Sequence, residues 1–514
     1  MKLNHYGRIF ILVSTLFYMF VGTSHAQDTV LASRYKGVLD SIQSKVLGQK
    51  RYIQVFIPPA YKKDSNEKYD VLYVLDGGNW NTSVIAQVQQ FVEGQGQMPP
   101  TIIASVTGID RNKELTPTHL DSWKESGGAA DFLAYIKTEL IPHVNAHYPS
   151  NGDNTLWGHS LSGMFAVYTM LQEPALFKSV IAADPSMWWD NGLVQKMAAA
   201  KLPAFPNTSV FLYVSGRQGP DFHGMGIDSF ETVLRQNAPP NLHWKIVPYT
   251  DETHSSIRLK TTYDGLRYTY AGLVANIEFA PANGMMVDGK PIKLWYFDDT
   301  VRMHYTTDGT VPTESSPGVV PEITLNGPAT VMYKRFSNRE KYDKLVKGNF
   351  TPDAMPPPLP ALPKKKNVQA GGFNYSYYEG NWTEWPDIGS LKPALVGITD
   401  KAFDPEKLPR KNNYALVIEG WLEAKTAGYY LFILQADKHS KLWLGGKCLM
   451  EWNGNYNHMN DSYIVPLKKG FYPFRLEYLH NKEDFKLRYS WLTPATMESK
   501  DPAPIPLELQ FGVR

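Results

Sequence analysis

The chain has 514 residues, 43% of them apolar and 20% charged, with a formal net charge of +2. That length exceeds what one core needs, and the near-neutral balance leaves no electrostatic footprint for nucleic acid. Aromatic residues make up 13%, with 13 Trp and 30 Tyr, and the lone cysteine, Cys448, excludes an internal disulfide framework.

The first 26 residues, MKLNHYGRIFILVSTLFYMFVGTSHA, place Lys2 and Arg8 around the start of an apolar run over 9–21, then Ser24 and Ala26 as small residues. This is the pattern of a secretory signal peptide cut after Ala26. The run is short for a membrane span. An exported protein, periplasmic or secreted from a bacterial envelope and without a membrane anchor, is expected.

Residues 27–275 alternate short apolar runs with helical periodicity. RYIQVFIPPAY (51–61), YDVLYVLDG (69–77), TIIASVTG (101–108), SVIAADPS (179–186) and SVFLYVSG (209–216) read as strands, and AADFLAYIKTELIPHVNAHY (129–148) as a helix. Strands alternating with helices predict a mostly parallel sheet covered on both faces. Within it, NTLWGHSLSGMFAVY (154–168) reads as strand, sharp turn and helix, with Ser160 in the turn. A serine hydroxyl becomes a nucleophile only with a base, a group to orient that base, and donors for the oxyanion. Gly158 permits close backbone approach, and the following helix aims its N-terminus at the oxyanion. Taken alone, GHSLSG also fits a structural turn, and Ser162 stands where the motif carries a second glycine.

Residues 276–350 change character, with alternating strands, Asp-Gly and Asn-Gly turns and no helical stretch, as in a small β-sandwich. Residues 351–366, TPDAMPPPLPALPKKK, hold six prolines and three lysines and predict an extended, semi-rigid linker. Residues 367–514 are again strand-rich and predict a larger all-β sandwich or barrel. Cys448 lies in the strand-like LWLGGKCLM, as a small core residue rather than a reactive thiol.

Several pieces spread over about 250 residues together resemble the esterase family of α/β-hydrolases, which includes esterase D, enterochelin-type siderophore esterases, feruloyl and acetyl-xylan esterases and mycolyltransferases. They are SKVLGQKRYIQVFIPPAY, YDVLYVLDGGNW, SGGAADFLAYIKTELIPHVNAHYP, LWGHSLSGMFAVYTMLQEPALFKSVIAADPSMWWD and THSS. The resemblance implies an α/β-hydrolase fold with a Ser–acid–His order. Ser160 would be the nucleophile and His254, in DETHSSI, the general base. His159 is a poorer base, since adjacent side chains point apart at such a turn. The acid is expected after FLYVSG (211–216), with Asp221 chosen and Asp228 and Glu231 as alternatives. The family's usual acid comes slightly earlier, where this chain has Arg217 and Gln218, so a Ser–His dyad or an acid from elsewhere stays open. Asp251 and Glu252 lie close to His254 in sequence for that role. The oxyanion donors would be the backbone N–H of Leu161 and of Gly78 or Asn79 in DGGNW. Trp188 and Trp189, in PSMWWD, would wall the pocket or pack in the core. No HExxH, phosphate loop or paired cysteine motif is present in the sequence, so no metal or nucleotide cofactor is expected.

YTTDGTVPT and its surroundings resemble the chitobiase C-terminal, fibronectin type III-like β-domain, which implies a spacer. YSYYEGNW, the stretch YALVIEGWLEAKTAGYYLFILQADKHSKLWLGGKCLMEW and VPLKKGFYPFRLEYLHNKEDFKLRYSWLTP resemble the β-sandwich domain named from anthrax protective antigen. Sugar-binding members use an adjacent Asp-Asp pair to hold calcium. Here Asp437 is followed by Lys438, so calcium is not expected. Trp452, Asn453 and Tyr456 form an aromatic, amide-rich loop that would stack on a sugar or serve as a rim.

The leading expectation is an exported serine esterase acting on an ester-decorated glycan, acetylated or feruloylated, with two all-β sandwich domains for spacing or attachment. The alternatives are a siderophore or other small-ester hydrolase, and a catalytically silent carbohydrate-binding scaffold.

Overall fold

The run YDVLYVLDG becomes a strand in which residues 69–75 are all buried. A strand apolar on both faces belongs inside a sheet covered on both sides, and it lies there. The computed structural model describes residues 37–514 apart from 60, 64, 275–276, 297–300, 364–366, 401–407, 437–438, 453–460 and 482–486. The chain divides into two units between Ala271 and Gly272.

Among the described residues of the first unit, the strands are β1 (Val38–Gln43), β2 (Lys50–Phe56), β3 (Tyr69–Gly77), β4 (Thr101–Thr107), β5 (Ser150–His159), β6 (Ser179–Ala183), β7 (Val210–Arg217) and β8 (Leu242–Tyr249). They form one sheet in the order β1-β2-β4-β3-β5-β6-β7-β8. The pairs β1–β2 and β2–β4 are antiparallel and all later neighbours are parallel. The helices are α1 (Asn79–Gly94), α2 (Arg111–Glu114), α3 (129–147, π-helical over Ile136–Leu140), α4 (Leu161–Gln172), α5 (Trp189–Lys201), α6 (Pro220–Gly224), α7 (Ile227–Asn237) and α8 (Ile257–Thr269). Helix α4 is buried from Leu161 to Leu171, as its apolar sequence LSGMFAVYTML demands. This is the α/β-hydrolase arrangement. Its parallel strands all point their carboxyl ends to one edge, where loops can converge on a site.

Two sets of buried polar groups fix the packing of this unit. Asp70, fully buried in β3, accepts hydrogen bonds from Asn151 Nδ2 at 2.8 Å and Tyr270 Oη at 3.0 Å. Arg51 in β2 meets Glu114 in α2 through two bonds, Nη1 to Oε1 at 2.8 Å and Nη2 to Oε2 at 3.0 Å, with both side chains buried. Removing one member of such a pair strands the other charge without water. Glu114→Gln is therefore expected to destabilise the first unit by about 3–5 kcal/mol, and Arg51→Met/Glu114→Leu to recover most of that loss. Urea titration of both variants checks this.

The second unit departs from the expected pair of independent β-domains joined by a linker. Three short strands, Phe279–Ala280, Ile292–Tyr296 and Glu322–Leu325, form a small antiparallel sheet. The strands Met303–Thr306, Ala329–Arg335 and Lys344–Thr351 instead continue into the sheet that contains Gly428–Gln435, Asp461–Leu467 and Arg488–Leu492. The join is Asn283–Met285, which runs parallel to Lys344–Thr351 on one side and to Asp461–Leu467 on the other. Trp295 and Tyr333 accordingly share a core with Leu431, Ile464 and Leu492. The third sheet of this unit centres on Tyr414–Ala424 and Gly470–His480, paired along their whole length. The proline-rich segment lies against this unit rather than spanning free space. Leu359 exchanges backbone hydrogen bonds with Phe471 at 2.8 and 3.0 Å, Met355 packs on the core, and Asp353 pairs with Lys447 at 2.9 Å. Extended prolines donate nothing to a ladder but offer apolar surface, which suits them to line a sheet edge. Among the described residues, no helix is long and apolar enough to cross a membrane.

Candidate active site

Strand β5 ends at His159, helix α4 starts at Leu161, and Ser160 alone makes the turn between them. It does so with φ 63° and ψ −118°, a conformation costly for a residue with a Cβ. The surroundings hold it there. Ser160 N–H donates to Ala183 O at 2.9 Å, and its carbonyl accepts from Met164 and Ser186 N–H, each at 3.0 Å. Gly158 makes the crossing possible, since a Cβ there would stand 2.1 Å from the Ser162 carbonyl oxygen. The result presents Ser160 Oγ at the carboxyl edge of the sheet, half-buried and 3.2 Å from Ser186 Oγ. Ser186, not His254, is its hydrogen-bond partner among the described residues.

His254 follows β8 and precedes α8. Its Nδ1–H donates to Asp184 Oδ2 at 2.7 Å, which leaves Nε2 as the free ring nitrogen. Asp184 sits just past β6, fully buried, with φ 41°. This corrects the expected position of the acid. Asp221 is 58% exposed on α6 and its carboxylate pairs with Arg217 Nη1 at 2.7 Å. Asp228 pairs with His223, Glu231 with Arg235, and Glu252 with Lys260. Arg217 Nε–H donates to Asp184 Oδ2 at 2.6 Å, the same oxygen that receives His254. Burial raises the Asp184 carboxyl, but the hydrogen bonds from His254 and Arg217 and the guanidinium charge outweigh it and hold the group below the ordinary carboxylate value.

His159 does not face the nucleophile as a base. Its ring lies 4.4 Å from that of His254, and its Nε2–H donates to the His254 backbone oxygen at 2.6 Å. Burial, then the nearby His254 and the arginines Arg258 and Arg111, push it down to about 3, so it is neutral and tethers the loop that carries His254.

Of the expected oxyanion donors, Leu161 and Asn79 are the first residues of α4 and α1, whose N–H groups have no partner within their helices. The Gly78 N–H is instead turned to Thr82 Oγ1, to which it donates at 3.2 Å. Ser162 has a use that a glycine could not supply. Its hydroxyl accepts from His159 N–H at 2.8 Å and donates to Asp76 Oδ2 at 2.7 Å. Asp76, at φ 53° near the end of β3, also pairs with Arg111 at 3.0 Å, and its carbonyl accepts from Asn81 Nδ2 at 3.0 Å. Arg258 of α8 reaches Asn81 Oδ1 in turn. The nucleophile turn, the β3–α1 loop and the start of α8 are thus tied together. Burial raises the Asp76 carboxyl, while Arg111, the Ser162 hydroxyl and Arg258 pull it back.

The tryptophan pair divides. Trp189 is fully buried, with Nε1–H on Thr118 Oγ1 at 3.0 Å and Trp123 edge-on at 5.3 Å. Trp188 is 41% exposed and lies 6.3 Å from Trp123. Asp190, Asn191 and Gly192, which follow, are all left-handed. Of the loop named for sugar stacking, Asn453 and Tyr456 lie outside the described residues, as do the side chain of Trp452 and both Asp437 and Lys438. The groups gathered around Ser160 otherwise provide a hydroxyl, an imidazole on a buried carboxylate, and helix N-termini, with no cluster able to hold a metal among the described residues.

Residues 44–221 match the family described as "Putative esterase", and residues 374–503 match the PA14 domain. The chain is 28% identical over 172 residues to the ferri-bacillibactin esterase BesA of Bacillus subtilis (strain 168), a match covering 29% of this chain and 58% of that protein. It is 35% identical over 83 residues to a siderophore triacetylfusarinine C esterase of Aspergillus fumigatus, covering 16% of this chain and 28% of that protein. The chain therefore spans less than two thirds of either relative. Among solved structures, an IroE-like serine hydrolase from Shewanella oneidensis is 26% identical with a TM-score of 0.43, covering 46% of this chain and 80% of that one.

Proposed function

We propose that this chain, which carries an esterase-family domain over residues 44–221, is a serine-dependent carboxylic-ester hydrolase acting on a small ester of the siderophore type. The observation that carries the chemistry is the buried Asp184 carboxylate on His254 Nδ1, across the site from a serine held in a strained strand-to-helix turn. With Nδ1 committed to Asp184, the lone pair of His254 sits on Nε2. Ser160 Oγ leaves Ser186, gives its proton to Nε2 and attacks the ester carbonyl; resting-state geometry in such sites tightens when substrate binds. The oxyanion falls to the N–H groups of Leu161 and Asn79 at two helix N-termini. His254 then protonates the departing alcohol, activates water, and the acyl-serine is hydrolysed.

The relatives' names support the small-ester substrate over the decorated glycan first expected. The glycan reading is favoured by a different observation, the PA14 match over residues 374–503. The signal-like pattern of residues 1–26 supports a site of action outside the cytoplasm for either reaction. Relative kcat/KM on a catecholate trilactone, an acetylated xylo-oligosaccharide and a feruloylated arabinoxylo-oligosaccharide decides between them. The trilactone is expected to be preferred by more than about tenfold, a difference of roughly 1.4 kcal/mol in transition-state binding. Preference for either oligosaccharide overturns the substrate, and hydrolysis of none of them, nor of p-nitrophenyl acetate, overturns the reaction.

A further inference from the structure

Arg217 occupies the end of β7, where the sequence resemblance leads one to expect an acid, while the carboxylate that reaches His254 comes from the neighbouring strand. We propose that Arg217 is a positioning residue for the ester hydrolysis proposed above: it pins the Asp184 carboxylate against His254 and, by sharing its charge, extends to lower pH the range in which His254 acts as a base. The inference rests on that reading of the site.

The geometry is specific. Asp184 Oδ2 receives two donors, His254 Nδ1–H at 2.7 Å and Arg217 Nε–H at 2.6 Å. Among the described residues, the other oxygen, Oδ1, has only the Arg217 backbone N–H, at 3.4 Å. Arg217 is held from behind by Asp221, at 2.7 Å from Nη1, so the guanidinium is fixed between two carboxylates. Asp184 is fully buried and Arg217 is 18% exposed, so water screens this contact little. An aspartate facing imidazole alone stabilises the imidazolium with its full charge. Here a permanent cation sits on the same oxygen, so protonating His254 gains less. The other charged groups nearby leave this balance in place. His159 packs on His254 as a neutral ring, Arg111 is committed to Asp76, Arg258 to Asn81, and Glu252 to Lys260.

The expected result is a displaced acid limb. In kcat/KM against pH with p-nitrophenyl acetate, Arg217→Met moves the acid limb upward by about one pH unit relative to the unmodified chain. Arg217→Gln, which keeps a donor but not the charge, does the same, and Arg217→Lys returns the limb toward its starting position. A merely structural role would lower activity at every pH without moving the limb. Titration of carbon-13-labelled histidine, with His254 assigned through His254→Ala, reads the same shift without turnover. A His254 titration unmoved in whichever of Arg217→Met and Arg217→Gln folds overturns the proposal. Absence of ester hydrolysis by the unmodified chain, with the His254 shift intact, overturns the reaction instead and leaves the electrostatic role standing.

Discussion

Asp184→Ala lowers kcat for ester hydrolysis by about 10⁴-fold, with KM changed little, whereas Asp221→Asn changes kcat by less than about threefold. The large effect has two sources. The carboxylate at 2.7 Å holds His254 with its proton on Nδ1 and offsets the charge the ring gains in the transition state. Its removal also leaves Arg217, still paired with Asp221, as a cation beside that ring with no carboxylate between them, which opposes imidazolium formation. Asp184→Asn is the informative companion. Arg217 Nε–H selects the amide oxygen, so asparagine can still accept from His254 Nδ1 and preserve the tautomer. The expected loss for asparagine is about tenfold smaller than for alanine. Asparagine also tolerates the φ of 41° at this position better than alanine does, so circular dichroism of the two variants separates a folding defect from a catalytic one. A profile in which Asp221→Asn is the severe change returns the acid to α6.

That result bears on why the acid could not be located from sequence. The ends of β6 and β7 are neighbours in the sheet, with Ala183 in register with Ser215. A carboxylate after either strand can meet the same imidazole, and spacing along the chain does not distinguish them. The available signal was an aspartate directly after the strand and before a proline, in SVIAADPS. A residue before proline is kept out of the helical region, and here Asp184 takes the left-handed one. The turn at Ser160 was legible because its determinants are local, namely an apolar strand, Gly158 and an apolar helix. Trp188 and Trp189 illustrate the opposite case. They are adjacent in sequence, and the buried one, Trp189, is marked by Thr118, about 70 residues earlier, which accepts its indole N–H. The parallel sheet was legible in unbroken runs such as 69–77, whose composition leaves no solvent face. The union of the β-rich segments was not. It depends on the three residues Asn283–Met285, too few to show any periodicity, and on a proline segment whose composition fits a free linker as well as a docked one.

Ser160→Ala reduces kcat by about 10⁵- to 10⁶-fold and abolishes labelling by a fluorophosphonate, while the unfolding free energy of the first unit from urea titration stays within about 1 kcal/mol of the unmodified chain. The separation of these two outcomes follows from where the energy is held. Among the described residues, the hydroxyl contributes one hydrogen bond to the fold, to Ser186 at 3.2 Å at a half-buried position. The turn itself is maintained by backbone bonds to Ala183, Met164 and Ser186 and by the absence of a Cβ at Gly158, none of which the substitution touches. Alanine keeps its Cβ, so the φ of 63° is neither relieved nor worsened. The reaction, by contrast, depends on the oxygen for every covalent step, and without it the donors at Leu161 and Asn79 can act only on direct attack by water. Residual turnover above the solution rate then measures those donors and substrate binding alone. Hydrolysis that persists at the original rate in Ser160→Ala removes the serine mechanism, and an unlabelled, inactive unmodified chain favours a binding scaffold built on a hydrolase fold. Loss of both activity and labelling with the fold intact assigns the strained turn to nucleophilic catalysis.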